Sequence, residues 1–218
     1  MSKPTLAPID LALIALSLLA SVAYLVPRAL GLEGWWVVVV KGLAISPLAL
    51  LAFRRLEGVT GRLLALGLAF SSLGDVLLAV PEHDLFLFGL LAFLVAHLLY
   101  IVLFHRLRSP GGRWVGLRLV GVLVLAAAMT AWLWADLGAL RIPVLVYVTA
   151  IATMAAAAQR TALPWVAIGA LLFVVSDAVL AIGRFQGPFP LSATIVWGTY
   201  VAAQLAITAG IFSRDRPS

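Results

Sequence analysis

The sequence predicts an all-α membrane protein that folds as a bundle of eight transmembrane helices. Of its 218 residues, 64% are hydrophobic and 11% are charged, whereas soluble globular domains carry about 25% charged residues. The mean hydropathy is +1.13. Eight apolar runs approach the roughly 20 residues that a spanning helix needs, and the connections are too short to hold a soluble domain. We therefore expect one integral membrane domain over residues 1–218.

The predicted helices follow these runs in chain order. Proline, glycine and charged residues fill the connections, as is typical of turns at a membrane surface, and the sixth run is the shortest. The predicted spans are residues 9–26, 35–53, 62–80, 85–104, 115–134, 142–158, 163–183 and 191–212.

The first run has some features of a signal peptide, because Lys3 precedes an apolar stretch. The run is longer than a typical signal-peptide core, and no clean cleavage site follows it. We therefore predict that it is a retained helix.

Lysine and arginine residues are concentrated on one side of the predicted bundle. Only Arg28, Arg141 and Arg184 fall on the other side. The positive-inside rule then predicts that both termini are cytoplasmic, and we expect the protein in the bacterial inner (plasma) membrane. The same asymmetry accounts for the net charge of +6, and no basic stretch with interleaved aromatic residues predicts nucleic-acid binding. The crowded side carries Lys3, Arg54, Arg55, Arg62, Arg106, Arg108, Arg113, Arg160, Arg214 and Arg216, with Arg118 just inside the fifth run.

Two of the predicted helices carry a carboxylate in their interior. Asp75 lies in residues 62–80 and Asp177 lies in residues 163–183. An unpaired charge at the centre of a membrane helix costs about 3 kcal/mol even on the lenient insertion scale. Ionisable residues inside a membrane therefore indicate function by default, and we predict that these two aspartates carry the chemistry.

The surroundings of the two aspartates indicate an internal duplication. When the aspartates are aligned, Gly67 falls on Gly169, and residues 93–97 in the next helix resemble residues 200–204. This predicts two parallel four-helix repeats. Chance is the alternative, because matches of leucine, alanine and glycine are common in apolar helices.

Four further polar residues lie at related depths. At about 1.5 Å per residue, Lys41 and Tyr147 fall in the same half of the membrane as the aspartates. His97 and Gln204 lie one layer deeper. Structural polar residues need not share a level, so the layering favours one buried polar cavity.

Each of these residues also has a structural interpretation. The aspartates can pair with Lys41 to hold the bundle together, and His97 can bond a carbonyl group in the core. Tyr147 and Gln204 can join neighbouring helices by hydrogen bonds.

Three serines precede the aspartates closely. We expect Ser71, Ser72 and Ser176 to bond back to their own helices. Ser71 and Ser72 also share a helix face with Asp75, so they can orient its carboxylate.

A pair of buried carboxyl groups supplies both an acid and a base. Two like charges at close range cannot both ionise, so one group is held protonated while the other is ionised. A nearby ammonium stabilises the ionised member. Hydrolysis of an acid-labile bond is the reaction that most needs such a pair.

Other hydrolytic mechanisms lack their residues. The chain has no G-x-S-x-G, no H-E-x-x-H and no glycine-rich phosphate loop. It has no cysteine, which excludes thiolate nucleophiles, disulfides and cysteine metal sites. A zinc site needs three or four ligands, and His97 is the only histidine well inside the predicted membrane region. We expect neither a metal nor an organic cofactor.

Five groups of residues follow one another along the predicted helices in a distinctive order. They are Gly74-Asp75 with Leu78; Phe88-Gly89, Phe93, His97 and Tyr100; Pro143-Val144, Tyr147 and Met154; Phe173, Ser176-Asp177 and Leu180; and Tyr200 with Ala203-Gln204. This set resembles the YhhN family of lysoplasmalogenase-type membrane proteins, and the resemblance extends from about Lys41 to Gln204. One departure lies in the second helix, where the family pattern has a proline directly after the lysine. Here Gly42 follows Lys41 and the proline comes later, at Pro47.

The resemblance implies an eight-helix enzyme that hydrolyses the vinyl ether bond of lysoplasmalogens. The products are a fatty aldehyde and glycerophosphoethanolamine or glycerophosphocholine. Asp75 and Asp177 are then the general acid and the general base, in either order. The implied substrate is a lysophospholipid held in the bilayer. The supporting and substrate-binding candidates are Lys41, His97, Tyr147, Gln204, Tyr200, Ser72 and Ser176.

Two other functions use the same residues. A proton-coupled transporter of small molecules or lipids could relay protons through intramembrane Asp, His and Lys, although the two halves lack matching Gly/Pro interruptions. A non-catalytic lipid-binding or assembly protein would use the aspartates for structure alone.

Overall fold

A computed structural model describes residues 7–26, 34–81, 83–109 and 115–214 of the chain. Within these ranges there are eight α-helices and no strand, which confirms the predicted all-α class. Each helix matches one predicted run to within a few residues. The helices are α1 Pro8–Ala23, α2 Trp35–Arg55, α3 Gly58–Ala79, α4 Phe86–Arg106, α5 Val115–Leu133, α6 Arg141–Ala158, α7 Pro164–Phe185 and α8 Ser192–Arg214.

Seven of these helices, α2 to α8, are long and apolar enough to cross a membrane. The first helix is shorter, with 16 residues, which is about 24 Å at a rise of about 1.5 Å per residue. The sixth run was predicted to be the shortest, but a 3₁₀ turn at Gly138–Leu140 directly precedes α6. This turn lengthens the sixth span to 21 residues.

Some predicted features lie outside the described residues. They are Lys3, Arg28, Arg113 and Arg216.

The chain divides into two compact units. The first unit comprises residues 1–99 and 212–218, and the second comprises residues 100–211. The predictions of a single membrane domain and of two parallel repeats stay predictions.

In the first unit, α1 packs along α2 and is tied to it at two levels. The Ser17 hydroxyl donates to the Ala44 carbonyl at 2.5 Å. The buried Asp10 carboxylate accepts the Ala7 N–H at 2.9 Å, which caps α1. The same carboxylate lies 3.6 Å from Arg55 Nη1 and 3.9 Å from Arg54 Nε in the last turn of α2.

The second helix runs unbroken through Lys41, Gly42 and Pro47. A Cβ at Gly42 would lie 3.1 Å from Val76 Cγ2 on α3. The glycine therefore permits close packing of α2 against α3, as small residues do in membrane proteins. The position after Lys41 is therefore a site of close helix approach.

In the second unit, α7 and α8 approach each other through glycines. A Cβ at Gly169 would lie 2.7 Å from the Ala203 carbonyl oxygen, and one at Gly210 would lie 2.8 Å from Val166 Cγ2. The fifth helix, in contrast, is mostly not buried against its neighbours, since only Val122 and Leu133 are buried in it.

Candidate functional site

Asp75 and Lys41 lie at one level of the first unit. Asp75 stands near the C-terminal end of α3 with 4% of its surface exposed. One turn before it, the Ser72 hydroxyl donates to the Gly42 carbonyl on α2 at 3.0 Å. Because Gly42 also faces Val76, the residue before it, Lys41, falls level with Asp75 on the antiparallel neighbour. The predicted layering of these two residues is thus present within this unit.

Lys41 contacts an aromatic ring from the first helix. Its ammonium lies 5.2 Å from the centroid of the Tyr24 ring, where a cation–π attraction holds a lysine head group. Tyr24 is the C-cap residue that directly follows α1. The packing of α1 on α2 therefore helps to place the lysine.

His97 lies deeper than Asp75 on α4. Cβ atoms at Gly74 and Gly89 would lie 2.6 Å from the Phe93 ring and 2.7 Å from the Leu78 side chain, which fixes the register of α3 against α4. In that register His97 stands about five residues below Asp75, roughly 8 Å along the axis. The histidine is fully buried.

In the second unit, Asp177 is hydrogen-bonded directly to Tyr147. The tyrosine hydroxyl on α6 donates to Asp177 Oδ2 on α7. The tyrosine is 7% exposed, and the aspartate is half-buried. The structure therefore brings these two predicted residues together in a bond that joins adjacent helices.

The prediction that the three serines bond back to their own helices was wrong for all three. Ser72 bonds α2, as described above, and the Ser176 hydroxyl donates to the Val196 carbonyl on α8 at 2.9 Å. Close helix packing brings a neighbouring carbonyl within reach, so these hydroxyls join helices. Ser71 is fully buried, and its hydroxyl has no hydrogen-bond partner among the described residues.

Tyr200 lies deeper than Asp177, and Gln204 lies deeper still. Ser176 is level with Val196, and the Phe173 ring meets the Tyr200 ring edge-on at 5.4 Å. In this register Tyr200 stands roughly 6 Å below Asp177 along the axis, and Gln204 stands roughly 12 Å below it.

The buried Gln204 is bonded to a tyrosine of the fourth helix. The Tyr100 hydroxyl donates to Gln204 Oε1 at 2.8 Å, and both side chains are fully buried. This bond holds the end of α4 against α8.

Each unit therefore supplies one half of the predicted set. The first brings Asp75, Ser72 and Lys41 to one level, and the second joins Asp177 to Tyr147 beside Ser176. Within the described part of the chain, no three His, Asp or Glu side chains are grouped as metal ligands.

Three residues were missed by reasoning from the sequence. Tyr24 places Lys41, Tyr100 holds Gln204, and Asp10 ties α1 to α2. Tyr100 was among the matched family residues, but nothing indicated its partner. Asp10 follows Pro8 at the start of an apolar run, a capping pattern that could have been recognised.

The fold and these side chains define the class of protein. It is an integral membrane protein of apolar helices that carries an aspartate within each of two helices. Comparison with family models matches residues 36–211 to the YhhN family. The chain therefore belongs to the YhhN family, which confirms the resemblance seen in its motifs.

The relatives of this chain include proteins named lysoplasmalogenase. The lysoplasmalogenase of Mycobacterium bovis is 39% identical over 159 residues, which cover 69% of this chain and 60% of the relative. Lysoplasmalogenase TMEM86A of Bos taurus is 34% identical over 162 residues, which cover 69% of this chain and 65% of the relative. The human protein of that name is 32% identical over the same length.

The chain thus spans 60–65% of the length of these curated relatives. No solved structure matches it.

Proposed function

We propose that the protein is a membrane hydrolase that cleaves the vinyl ether bond of lysoplasmalogens. Water and the substrate give a fatty aldehyde and glycerophosphoethanolamine or glycerophosphocholine. The names of the relatives support this activity. We further propose that catalysis uses Asp75 and Asp177 as general acid and general base.

One observation carries the mechanism: each intramembrane aspartate lies level with a polar group of an adjacent helix. Lys41 is level with Asp75, and the Tyr147 hydroxyl is bonded to Asp177. A carboxylate kept only for helix packing would be a costly way to join apolar helices. Two such arrangements in one small chain support a chemical role.

The reaction follows from the chemistry of the vinyl ether. A carboxylic acid protonates the β-carbon of the double bond, and an oxocarbenium ion forms at the carbon bonded to oxygen. The second carboxylate stabilises this cation and takes a proton from the attacking water. The resulting hemiacetal breaks its carbon–oxygen bond, releasing the aldehyde and the glycerol hydroxyl.

The remaining candidates have supporting roles in this proposal. Lys41 and Tyr147 hold the aspartates in position, and Ser72 and Ser176 fix the helices that carry them. His97 stands about five residues below Asp75 along the helix axis, roughly 8 Å, and relays protons in this proposal. Tyr200 packs beside the alkenyl chain, and Gln204 with Tyr100 stabilises the second unit.

The transporter alternative has less support. Secondary transporters commonly bind substrates at discontinuous helices near the midplane. The aspartate helices α3 and α7 are each continuous, over Gly58–Ala79 and Pro164–Phe185. Substrate-dependent proton flux without aldehyde release would favour that alternative.

We also propose where the protein is located and how it is oriented in the membrane. The arginine asymmetry supports an inner-membrane protein with both termini in the cytoplasm. Reporter fusions at each terminus test this topology. An active periplasmic reporter at either terminus would contradict it.

The decisive experiment measures aldehyde release by the purified protein. Wild type is incubated with a lysoplasmalogen in mixed micelles, and the released aldehyde is quantified. We expect Asp75→Asn and Asp177→Asn each to lower kcat at least 100-fold, since loss of a general acid or base typically costs 10²–10⁴-fold. Asp136→Asn is the matched control, because this exposed aspartate lies outside the helices.

Two outcomes would contradict the proposal in different ways. A folded wild type that releases no aldehyde removes the hydrolase function. Full activity in both aspartate variants leaves the enzyme but removes the two-aspartate mechanism.

A further inference from the structure

Two polar side chains one turn apart on α8 each carry a buried atom without a hydrogen bond. Gln204 is 0% exposed and Thr208 is 5% exposed. Within the ranges that the structure describes, neither Gln204 Nε2 nor Thr208 Oγ1 has a hydrogen-bond partner. Buried polar atoms are nearly always hydrogen-bonded, and each exception needs an explanation. Two exceptions four residues apart share a helix face, so one explanation can serve both.

Comparable side chains elsewhere in the second unit are satisfied. The buried Gln159 donates from Nε2 to the Ala167 carbonyl at 3.1 Å. Thr208 makes no such bond to the carbonyl of Gln204, four residues earlier. The threonines that do bond back to the carbonyl four residues earlier, at 2.6–2.8 Å, are Thr130, Thr149, Thr153 and Thr199.

The unpaired atom of Gln204 is present in either orientation of its amide. As placed, Oε1 accepts a hydrogen bond from the Tyr100 hydroxyl at 2.8 Å. If the oxygen and nitrogen are exchanged, Nε2 donates to the tyrosine oxygen and Oε1 takes the position without a partner. The amide therefore offers one unused polar atom in both cases.

The spacing of the two residues suits one water molecule. Residues four apart on a helix have Cβ atoms about 5–6 Å apart. Two hydrogen bonds of about 2.8 Å that share one oxygen span up to roughly 5.6 Å. The second proton of the water can reach the Gln204 carbonyl, which has a lone pair beyond the one used in the helix. Buried waters typically make about three hydrogen bonds of this kind.

The chemistry of the site favours water over an ion. The amide and the hydroxyl are both neutral, so an ion would lose its hydration without meeting an opposite charge. The nearest buried residues along α8 are apolar, namely Ala203, Ile207 and Ile211. A small neutral molecule that both donates and accepts hydrogen bonds is the ligand that these groups can satisfy.

We propose that Gln204 and Thr208 hold one resident water molecule inside the second unit. The water accepts a hydrogen bond from Gln204 Nε2 and bonds the Thr208 hydroxyl. It extends the pair of Tyr100 and Gln204 into a chain of hydrogen bonds that continues one turn along α8. The water site does not depend on the proposed hydrolase function.

Nuclear magnetic resonance tests the site on the whole chain in detergent micelles. The chain has three glutamines, Gln159, Gln186 and Gln204, so isotope labelling of side-chain amide nitrogens gives few glutamine signals. The variant Gln204→Met identifies those of Gln204. We expect the Gln204 amide protons to show a cross-relaxation peak to a water with a long residence time. The Gln159 amide is the matched buried control and should show none, because it is bonded to a carbonyl.

Substitutions at Thr208 test whether the water bridges the two side chains. Thr208→Val keeps the shape and removes the hydroxyl, so we expect the water peak of Gln204 to disappear. Tm should fall by about 3 °C, the shift expected for one lost hydrogen bond in a chain of this size. Thr208→Ser keeps the hydroxyl and should keep the peak. Thr199→Val is the matched control, because its hydroxyl bonds the Ile195 carbonyl of its own helix, and it should leave the peak unchanged.

Three results would overturn the water site. They are the absence of a water peak at Gln204 in wild type, an equal peak at Gln159, and a Gln204 peak that persists in Thr208→Val. A double-mutant cycle adds a fourth test: the Tm loss of Thr208→Val should vanish in the Gln204→Met background, where the water has lost its donor. Equal losses in both backgrounds would contradict the bridge. Aldehyde release enters none of these measurements, so a failure of the hydrolase function leaves them valid.

Discussion

The hydrogen bond from Tyr147 to Asp177 gives a direct test of the proposed chemistry. Tyr147→Phe removes the hydroxyl and keeps the ring, so the packing of α6 against α7 is preserved. The lost bond is donated to a carboxylate inside the second unit. Hydrogen bonds to charged groups contribute about 1.5–3 kcal/mol. The tyrosine is only 7% exposed, so water cannot readily replace it.

This energy predicts the size of the kinetic effect. About 1.4 kcal/mol corresponds to a tenfold change, so Tyr147→Phe should lower kcat/KM about 10- to 100-fold. The measurement is aldehyde release at several lysoplasmalogen concentrations. The effect should fall mainly on kcat, because the bond positions a reacting group and does not bind the apolar chain.

Tyr100→Phe is the matched control for this variant. It removes a fully buried hydroxyl that donates to Gln204 at 2.8 Å, roughly 12 Å deeper than Asp177. We expect it to lower Tm while changing kcat/KM less than about threefold, since an unsatisfied buried amide costs about 1–3 kcal/mol of stability.

A double-mutant cycle shows whether Tyr147 acts through Asp177. If it does, Tyr147→Phe adds little loss of activity in the Asp177→Asn background. Equal losses in both backgrounds would refute the positioning role. So would a Tyr147→Phe variant with wild-type kcat.

Three further predictions concern stability and are measured as Tm in detergent micelles. Asp10→Asn should lower stability by about 1 kcal/mol with unchanged kcat, because its two arginine partners are partly exposed and such pairs are weak; an unchanged Tm would show that the ion pairs contribute nothing. Gly169→Ala should lower Tm markedly, because the new Cβ would lie 2.7 Å from the Ala203 carbonyl oxygen. Gly198→Ala meets nothing within 4 Å and should be neutral or stabilising, so similar effects of the two glycine variants would contradict the packing argument. Ser72→Ala should cost about 1 kcal/mol by removing its bond to α2, and a variant as stable as wild type would show that this bond is not needed.

The helices were predictable because the bilayer imposes a strong constraint. Backbone polar groups cannot remain unpaired in hydrocarbon, so apolar runs of about 20 residues become helices. The predicted run 62–80 overlaps α3, Gly58–Ala79, and the predicted run 163–183 overlaps α7, Pro164–Phe185. The bounds differ by a few residues because helices extend past the apolar run into the interface.

The partners of the polar side chains were less predictable. Depth along a helix follows from counting residues, and counting placed Lys41 level with Asp75. The rotation of each helix about its axis and its distance from neighbouring helices depend on packing, which the sequence of a single apolar run does not reveal. Ser72 and Ser176 bond neighbouring helices because glycines and small residues bring those backbones near. The pairing of Tyr100 with Gln204 joins residues 104 positions apart, a distance over which the sequence carries no local signal.

The predicted duplication relates the two aspartates to partners that differ in chemical type. If the chain is two four-helix repeats, α2 corresponds to α6 and α3 corresponds to α7. Lys41 is then the seventh residue of α2, and Tyr147 is the seventh residue of α6. The same position beside each aspartate helix would therefore hold an ammonium in one half and a hydroxyl in the other.

Such a difference would decide which of the two carboxyl groups acts as the acid and which acts as the base. Replacing Lys41 with the residue of the corresponding position tests this reasoning. Lys41→Tyr should be more harmful than Lys41→Arg if the charge distinguishes the two aspartates. Equal losses of kcat in Lys41→Tyr and Lys41→Arg would mean that shape, and not charge, sets the two roles apart.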